Sequence, residues 1–266
     1  MNALSRVLRD GGTVTWRNLV NIRRNPEMLM AATVQPIMFV LLFAYVFGGS
    51  LGGASYREFL MAGIFTQTVA FNSAFTTIGM ANDLQKGIID RFRSLPMSRV
   101  AVILGRTSSD LLINALGLAV MSACGLIIGW RIHTSVLEAI GGYALLLLFA
   151  FAMSWTGALV GLAARSVEVA QSAGLIWLFP VTFISSAFIS AQNMPGPLMA
   201  IAHWNPITTV ADATRKLFGN PNPPNLPAST GWAADHAAVY SLVAAVLIIV
   251  IFLPLAVSRY RQVASR

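Results

Sequence analysis

Side chains able to make or break bonds are sparse in this sequence. His133, His203 and His236 lie far apart, and Cys124 is the only cysteine, set inside an apolar run without an intrachain disulfide partner. There is no G-x-x-x-x-G-K-[ST] phosphate loop, no H-E-x-x-H zinc helix, no G-x-S-x-G nucleophile elbow and no cysteine–histidine cluster. The chain therefore has no nucleotide-binding or catalytic motif of its own, and the histidines read as interfacial residues without a chemical role.

What stands out instead is a charged passage between long apolar runs, Gly-Ile-Ile-Asp-Arg-Phe-Arg-Ser-Leu-Pro-Met-Ser-Arg at residues 87–99. Ile88, Ile89, Phe92 and Leu95 recur at i, i+1, i+4 and i+7, which makes one apolar stripe on a helix. Asp90, Arg91 and Arg93 point elsewhere, and Pro96 ends or bends the helix. A short amphipathic helix of this kind lies along a membrane surface and offers its polar side to a soluble partner. Gly87, Ile88, Ile89, Asp90, Arg91, Phe92, Arg93, Ser94, Leu95, Pro96 and Met97 are thus a candidate docking site for another protein. An ordinary basic loop that only fixes topology accounts for the same local charges.

The elements that would position this passage are membrane helices. The chain is 56% hydrophobic and 11% charged, against about 25% charged in soluble domains, and its mean hydropathy is +0.69. The net charge of +8 is spread through short segments between apolar runs, as the positive-inside rule expects and nucleic-acid binding does not. No n-region, short h-region and cleavage site open the sequence, so no signal peptide is expected.

Residues 1–25 read as an interfacial helix. Leu4, Val7, Leu8, Val14, Leu19 and Ile22 share one face, Arg6, Arg9, Arg17 and Arg24 fall on the other, and Gly11-Gly12 is a candidate break. Asn25-Pro26-Glu27 then has the form of an N-cap, an N1 proline and a first-turn acid. Residues 26–266 hold six apolar segments, at about 28–49, 59–82, 108–129, 139–163, 170–190 and 237–257, each near the ~20 residues that a ~30 Å hydrocarbon slab requires. Arg57, Arg131, Arg215 and Lys216 fall on one side, and the other basic residues on the side of the two termini. Both termini are therefore expected to be cytoplasmic. Trp130, Trp204, Trp232 and Tyr56 lie near the expected outer boundary.

The span centres are expected to be free of charge, with Asp83, Asp110 and Glu168 near inner ends and Glu58 and Glu138 near outer ones. That disfavours proton or sodium coupling. Neutral polar residues in the spans, Gln35, Gln67, Thr66, Asn72, Asn114, Gln171 and Ser172, suit inter-helix hydrogen bonds or substrate contact. Phe71, Phe75, Trp155, Trp177 and Phe179 suit either an apolar route or packing.

Residues 191–236 form an unusual connection. Its first part is apolar and holds Pro195 and Pro197, too short to cross and too apolar for a free loop. It reads as a re-entrant or interfacial hairpin that buries Met194, Leu198, Met199, Ile201 and Trp204 against the ends of spans five and six. Pro206 starts a second short helix, followed by a proline- and asparagine-rich outer loop. The expected fold class is an all-α membrane protein of six transmembrane helices, with an N-terminal interfacial amphipathic helix and this hairpin between spans five and six.

The basic N-terminal helix, the six spans, the loop at 87–99 and Asn205-Pro206-Ile207-Thr208 before span six together resemble the ABC-2 permeases, over essentially the whole chain. Gln35-Pro36-Ile37-Met38-Phe39-Val40-Leu41-Leu42-Phe43 is similar to the daunorubicin-resistance-type branch from actinobacterial drug exporters. The resemblance implies that the loop forms a coupling helix docked on a separate ABC ATPase, with Arg6, Arg9, Arg17 and Arg24 flanking that interface. It implies that the hairpin, with Trp204, Asn205, Pro206 and Thr208, helps close the outer end of the pathway. It further implies two ATPase copies, a second permease (most simply a homodimer), and a bacterial cytoplasmic membrane. ATP and magnesium would belong to the ATPase, leaving no cofactor in this chain. The expected cargo is a hydrophobic or amphipathic compound such as a drug, moved outward. Export of a lipid-linked glycan or other cell-envelope component is the alternative. A secondary carrier or a non-transporting membrane assembly protein is the alternative of another class.

Overall fold

The computed structural model describes residues 3–24, 26–47, 53–88, 99–220 and 222–263, and within them every regular element is helical. Helix α1 is Ala3–Arg24, and α2 is Pro26–Leu41, continued by a π-helical turn at Leu42–Phe47. Then follow α3, Gly53–Gln85, α4, Arg99–Ile127, α5, Val136–Ala163, and α6, Val167–Phe183. The connection after α6 holds α7, Gly196–Trp204, α8, Pro206–Phe218, and the short α9, Trp232–Asp235; α10, Ala237–Val263, ends the bundle.

Local chemistry sets several of these boundaries. Ser135 and Glu138 form a reciprocal capping box at the start of α5, and Ser166 accepts from the Val169 N–H at the start of α6. Asn205 caps α8, Pro206 occupies its first turn, and Gly219 closes it in the left-handed conformation at φ 69°.

Among the described residues, three helices are long and apolar enough to cross a membrane by length and composition, Val100–Ile127, Val136–Ala163 and Ala237–Val263. Thr33–Val46 and Val167–Phe183 are shorter apolar helices. With 33 residues α3 is the longest helix described, and its composition is diluted by Arg57, Glu58, Asp83 and a row of neutral polar residues. The protein is a multi-pass membrane protein.

The bundle is organised around α3, whose tightest partner is α5. Gly157 and Gly161 on α5 make this possible, because a Cβ at either would run into the carbonyls of Ser73 and Thr77. Aromatic rings fill the centre: Phe65 meets Trp130 edge-on at 5.5 Å and Phe218 at 6.2 Å, and Phe149 is fully buried nearby. A buried phenylalanine is worth about 1.5–3 kcal/mol relative to an exposed one.

Several expectations are corrected here. The helix α1 is continuous through Gly11-Gly12, and Gly11 instead gives close access to α4, where the added Cβ at Gly105 would strike Val14 and the Gly11 carbonyl. Trp130 and Tyr56 are core residues, each 1% exposed, because Asn220 takes the Trp130 indole N–H and the Phe188 carbonyl takes the Tyr56 hydroxyl. In α7 the apolar residues Leu198, Ile201 and Trp204 face outward, and the side buried in the connection belongs to α8, through Ile207, Val210, Ala211 and Phe218. An outward apolar face is unremarkable where the solvent is lipid.

Candidate functional site

A groove of about 360 Å³ runs between α2, α3 and α6. Gln35, Pro36 and Phe39 come from α2, Gln67, Thr68, Phe71, Asn72 and Phe75 from α3, and Gln171, Leu175, Phe179 and Phe183 from α6. Phe71 and Phe179 meet edge-to-face at 5.3 Å across it, and Phe179 stacks on Phe183 at 5.7 Å. Four carboxamides and several rings face this space, and its lining holds no ionisable side chain. Such a surface suits a molecule with a flat apolar body and neutral hydrogen-bonding groups. It cannot give or take a proton. Of the aromatic residues singled out in the sequence, Phe71, Phe75 and Phe179 line the groove. Trp177 is packed against the main core instead, and Trp155 is fully buried in a second apolar cluster with Met80 and Tyr260.

Beyond one end of the groove the backbone breaks after α6, and side chains from α8 and its cap satisfy it. Asn205 Nδ2 donates to the carbonyls of Val181 at 2.6 Å and Ile184 at 2.7 Å, while its Oδ1 accepts from the Ile207 N–H at 2.9 Å. Thr208 Oγ1 accepts from the Ser186 N–H at 3.0 Å. Arg215, 2% exposed, donates to the Ser186, Ala187 and Phe59 carbonyls and pairs with Asp212 at 2.7 Å. Burial pulls the Arg215 guanidinium below its ordinary pKa, and the Asp212 carboxylate opposes that pull. Backbone breaks at membrane depth are tolerated only when their polar groups are satisfied in this way. Trp204 remains 60% exposed, and its carbonyl accepts from the Tyr240 hydroxyl at 2.7 Å.

The opposite end holds the connection between α3 and α4. Gly87 turns with φ 64°, and Ile88 follows it. Ile89, Asp90, Arg91, Phe92, Arg93, Ser94, Leu95, Pro96 and Met97 lie outside the described residues, as do the side chains of Arg6 and Arg24. Arg9 is exposed beside Asp10, whereas Arg17 reaches Asp83 of α3 at 3.3 Å. One charge lies deeper than the sequence suggests. Because α4 starts at Arg99, Asp110 is well inside this 29-residue helix, buried and paired with Arg106 at 3.4 Å.

Residues 11–218 match the family described as ABC-2 type transporter. The chain belongs to that family. It is 32% identical over 208 residues to the "Daunorubicin resistance ABC transporter permease protein DrrB1" of Streptomyces coeruleorubidus, covering 77% of this chain and 74% of that one. The "Doxorubicin resistance ABC transporter permease protein DrrB" of Mycobacterium tuberculosis is 27% identical over 143 residues, 50% of each chain. A "Putative transport permease ycf38" of Pyropia yezoensis is 25% identical over 212 residues, 77% of this chain and 72% of that one.

The matched ABC-2 region contains the groove, the break after α6 and the connection after α3. Sequence reasoning missed three side chains that shape this permease. Arg215 reads in the sequence only as one of four basic residues on the outer side, and Ser186 and Asp212 carry no signal of their own. The signal available was the composition of α8, where Asp212 and Arg215 sit one turn apart in a helix whose other residues, Lys216 apart, are small or apolar.

Proposed function

We propose that the chain is the transmembrane subunit of an ABC exporter, and that the groove between α2, α3 and α6 is part of the route for a hydrophobic or amphipathic compound. The observation that carries this reading is the groove lining, which combines phenylalanine rings with carboxamides and excludes ionisable groups. That chemistry suits a drug-like cargo. Relatives named for daunorubicin and doxorubicin resistance support the same cargo class.

On this reading six helices span the membrane with both termini in the cytoplasm, following the basic-residue asymmetry. The connection after α3 docks on a separate ATPase, which supplies ATP and magnesium. Two copies of the permease, with two of the ATPase, complete the transporter, and α7–α8 close the outer end. The exposed Met38, Ile176, Phe179 and Phe183 beside the groove are suited to a second copy of the chain.

The test is co-expression with a candidate ABC ATPase, followed by daunorubicin uptake into inside-out vesicles or its export from cells. ATP-dependent transport should require both proteins. Arg91→Glu or Asp90→Lys should leave the permease in the membrane but release the ATPase, since losing one member of an interfacial charge pair costs about 2–5 kcal/mol. Wild-type recovery of the ATPase with both variants would remove the docking role, and an ATP-independent flux would favour a carrier.

A further inference from the structure

One side chain takes part in two structures at once. Asn72 lines the groove, and its Nδ2 donates to Asn114 Oδ1 across the seam between α3 and α4 at 2.8 Å. A carboxamide offers two N–H donors and a carbonyl acceptor. One donor is engaged, and the rest of the Asn72 amide is open to whatever fills the groove.

From Asn114 a line of contacts continues away from the groove. Asn114 Nδ2 donates to the Asp110 carbonyl at 2.9 Å. The Asp110 carboxylate accepts from Thr76 Oγ1 at 2.7 Å and faces Arg106 Nε at 3.4 Å. The Arg106 guanidinium covers Gly79, where a Cβ would overlap it, and Nη2 donates to the Phe75 carbonyl at 3.3 Å. The pairs Asn72–Asn114, Thr76–Asp110 and Gly79–Arg106 succeed one another by about a turn on both helices, as rungs between antiparallel helices do. Beside Asp110, Ser109 Oγ accepts from Asn18 Nδ2 at 3.1 Å, Asn18 Oδ1 accepts from Arg17 Nη2 at 2.8 Å, and Arg17 pairs with Asp83. Asp83 lies on the last turn of α3, just ahead of the Gly87 bend.

Packing alone does not call for this ladder. A buried ion pair is often no more stabilising than apolar residues of the same volume, and ionisable residues inside a membrane helix are kept for function as a rule. We propose that Asn72 senses the occupancy of the groove, and that the ladder through Asn114, Asp110, Thr76 and Arg106 relays it to α1 and to the end of α3 at Asp83 and Gly87. A ligand that hydrogen-bonds the open side of the Asn72 amide pulls it toward the groove and lengthens its bond to Asn114. Losing that rung loosens α4 against α3 at the pair nearest Asp110, and α4 leads directly out of the connection. The proposal rests on the exporter reading for what the groove normally holds.

The test imposes occupancy chemically, so that it needs neither the natural cargo nor the ATPase. In a Cys124→Ser background, Gln171→Cys on the facing wall is labelled with a coumarin maleimide, whose ring carbonyl accepts a hydrogen bond, and amide hydrogen exchange is followed in lipid nanodiscs. Labelling should speed exchange in residues 99–118 by about fivefold, the worth of one hydrogen bond. Asn72→Leu should show the faster exchange already and respond no further to the label. A labelled protein that exchanges like the unlabelled one, or an equal response with and without Asn72, would overturn the relay, because a purely structural Asn72 leaves the response in place. The same label in the assembled transporter separates this proposal from the reading beneath it. An ATP hydrolysis rate that shifts with the label, and not in Asn72→Leu, supports both. If the nanodisc response is present but no ATPase assembles, the relay stands and the exporter reading falls.

Discussion

The Arg215 guanidinium lies 3.7 Å from the centre of the Phe59 ring, and its Nε donates at 2.9 Å to the carbonyl of that same residue. One side chain on α8 thus grips both the ring and the backbone of α3, while its Nη2 holds the Ser186 and Ala187 carbonyls behind α6. Three parts of the chain, far apart in sequence, meet at a single planar group.

Breaking this junction should therefore be costly. Arg215→Met removes the ion-pair partner of Asp212 and a donor from three carbonyls, and should destabilise the protein by about 3–5 kcal/mol. Arg215→Lys should recover little, since an ammonium cannot reproduce the planar fork. Arg215→Met combined with Asp212→Leu should recover part of the loss. Thermal unfolding in detergent, read by fluorescence of the buried tryptophans, ranks the three variants.

The two residues at the turn from α7 to α8 should behave differently from each other. Asn205→Ala orphans the Val181 and Ile184 carbonyls and a helix cap, about 1–3 kcal/mol for each buried group. Trp204→Ala removes an exposed ring whose neighbour is Tyr240 at 6.1 Å, and should stay within about 0.5 kcal/mol. If α7–α8 gate export, Trp204→Ala should slow transport per assembled complex although its stability is normal. An unchanged rate would leave α7 a packing element.

Glycines sort by what faces them. Gly63→Ala, Gly157→Ala and Gly161→Ala each push a Cβ into a backbone carbonyl, of Ala187, Ser73 and Thr77 respectively, and should lower the yield of folded protein sharply. Gly12 has open space around its Cβ position on α1, so Gly12→Ala should be neutral or stabilise α1 by up to about 1 kcal/mol. Detergent-solubilised yield and unfolding temperature measure both.

Topology is tested by labelling. In a Cys124→Ser background, Ser98→Cys and Ser265→Cys should be shielded in intact cells from a membrane-impermeant maleimide, and Asn222→Cys should react. Reaction at Ser98→Cys from outside would contradict six spans with cytoplasmic termini.

The helices themselves were legible in the sequence because apolar runs and capping residues are local signals. Asn205-Pro206 announced the start of α8, and the apolar run after Asn25-Pro26 announced α2. What could not be read was which face each helix buries. The row Leu198, Ile201 and Trp204 looked like core, yet in a membrane protein the outer face is as apolar as the inside. Polar residues were better guides, since Asn72, Thr76, Asp110 and Asn114 all turned inward to find partners. Arg215 defeated local reading because its partners lie far away, including Phe59, 156 residues back along the chain. The apolar groove residues were nominated by type alone, and only the packing separates Phe71 from Trp177.

The seat of α1 on α4 bears on the order in which the protein is made. Thr15 Oγ1 donates to the Gly105 carbonyl across 90 residues of sequence, and the Asn18–Ser109 contact spans 91. At ordinary rates of synthesis the ribosome takes about 5–20 s to cover that interval. Helix α1 must therefore wait for its partner while α2 and α3 are made, its polar contact face still wet. Nascent chains arrested before Gly105 should keep α1 open to protease, and longer ones should protect it.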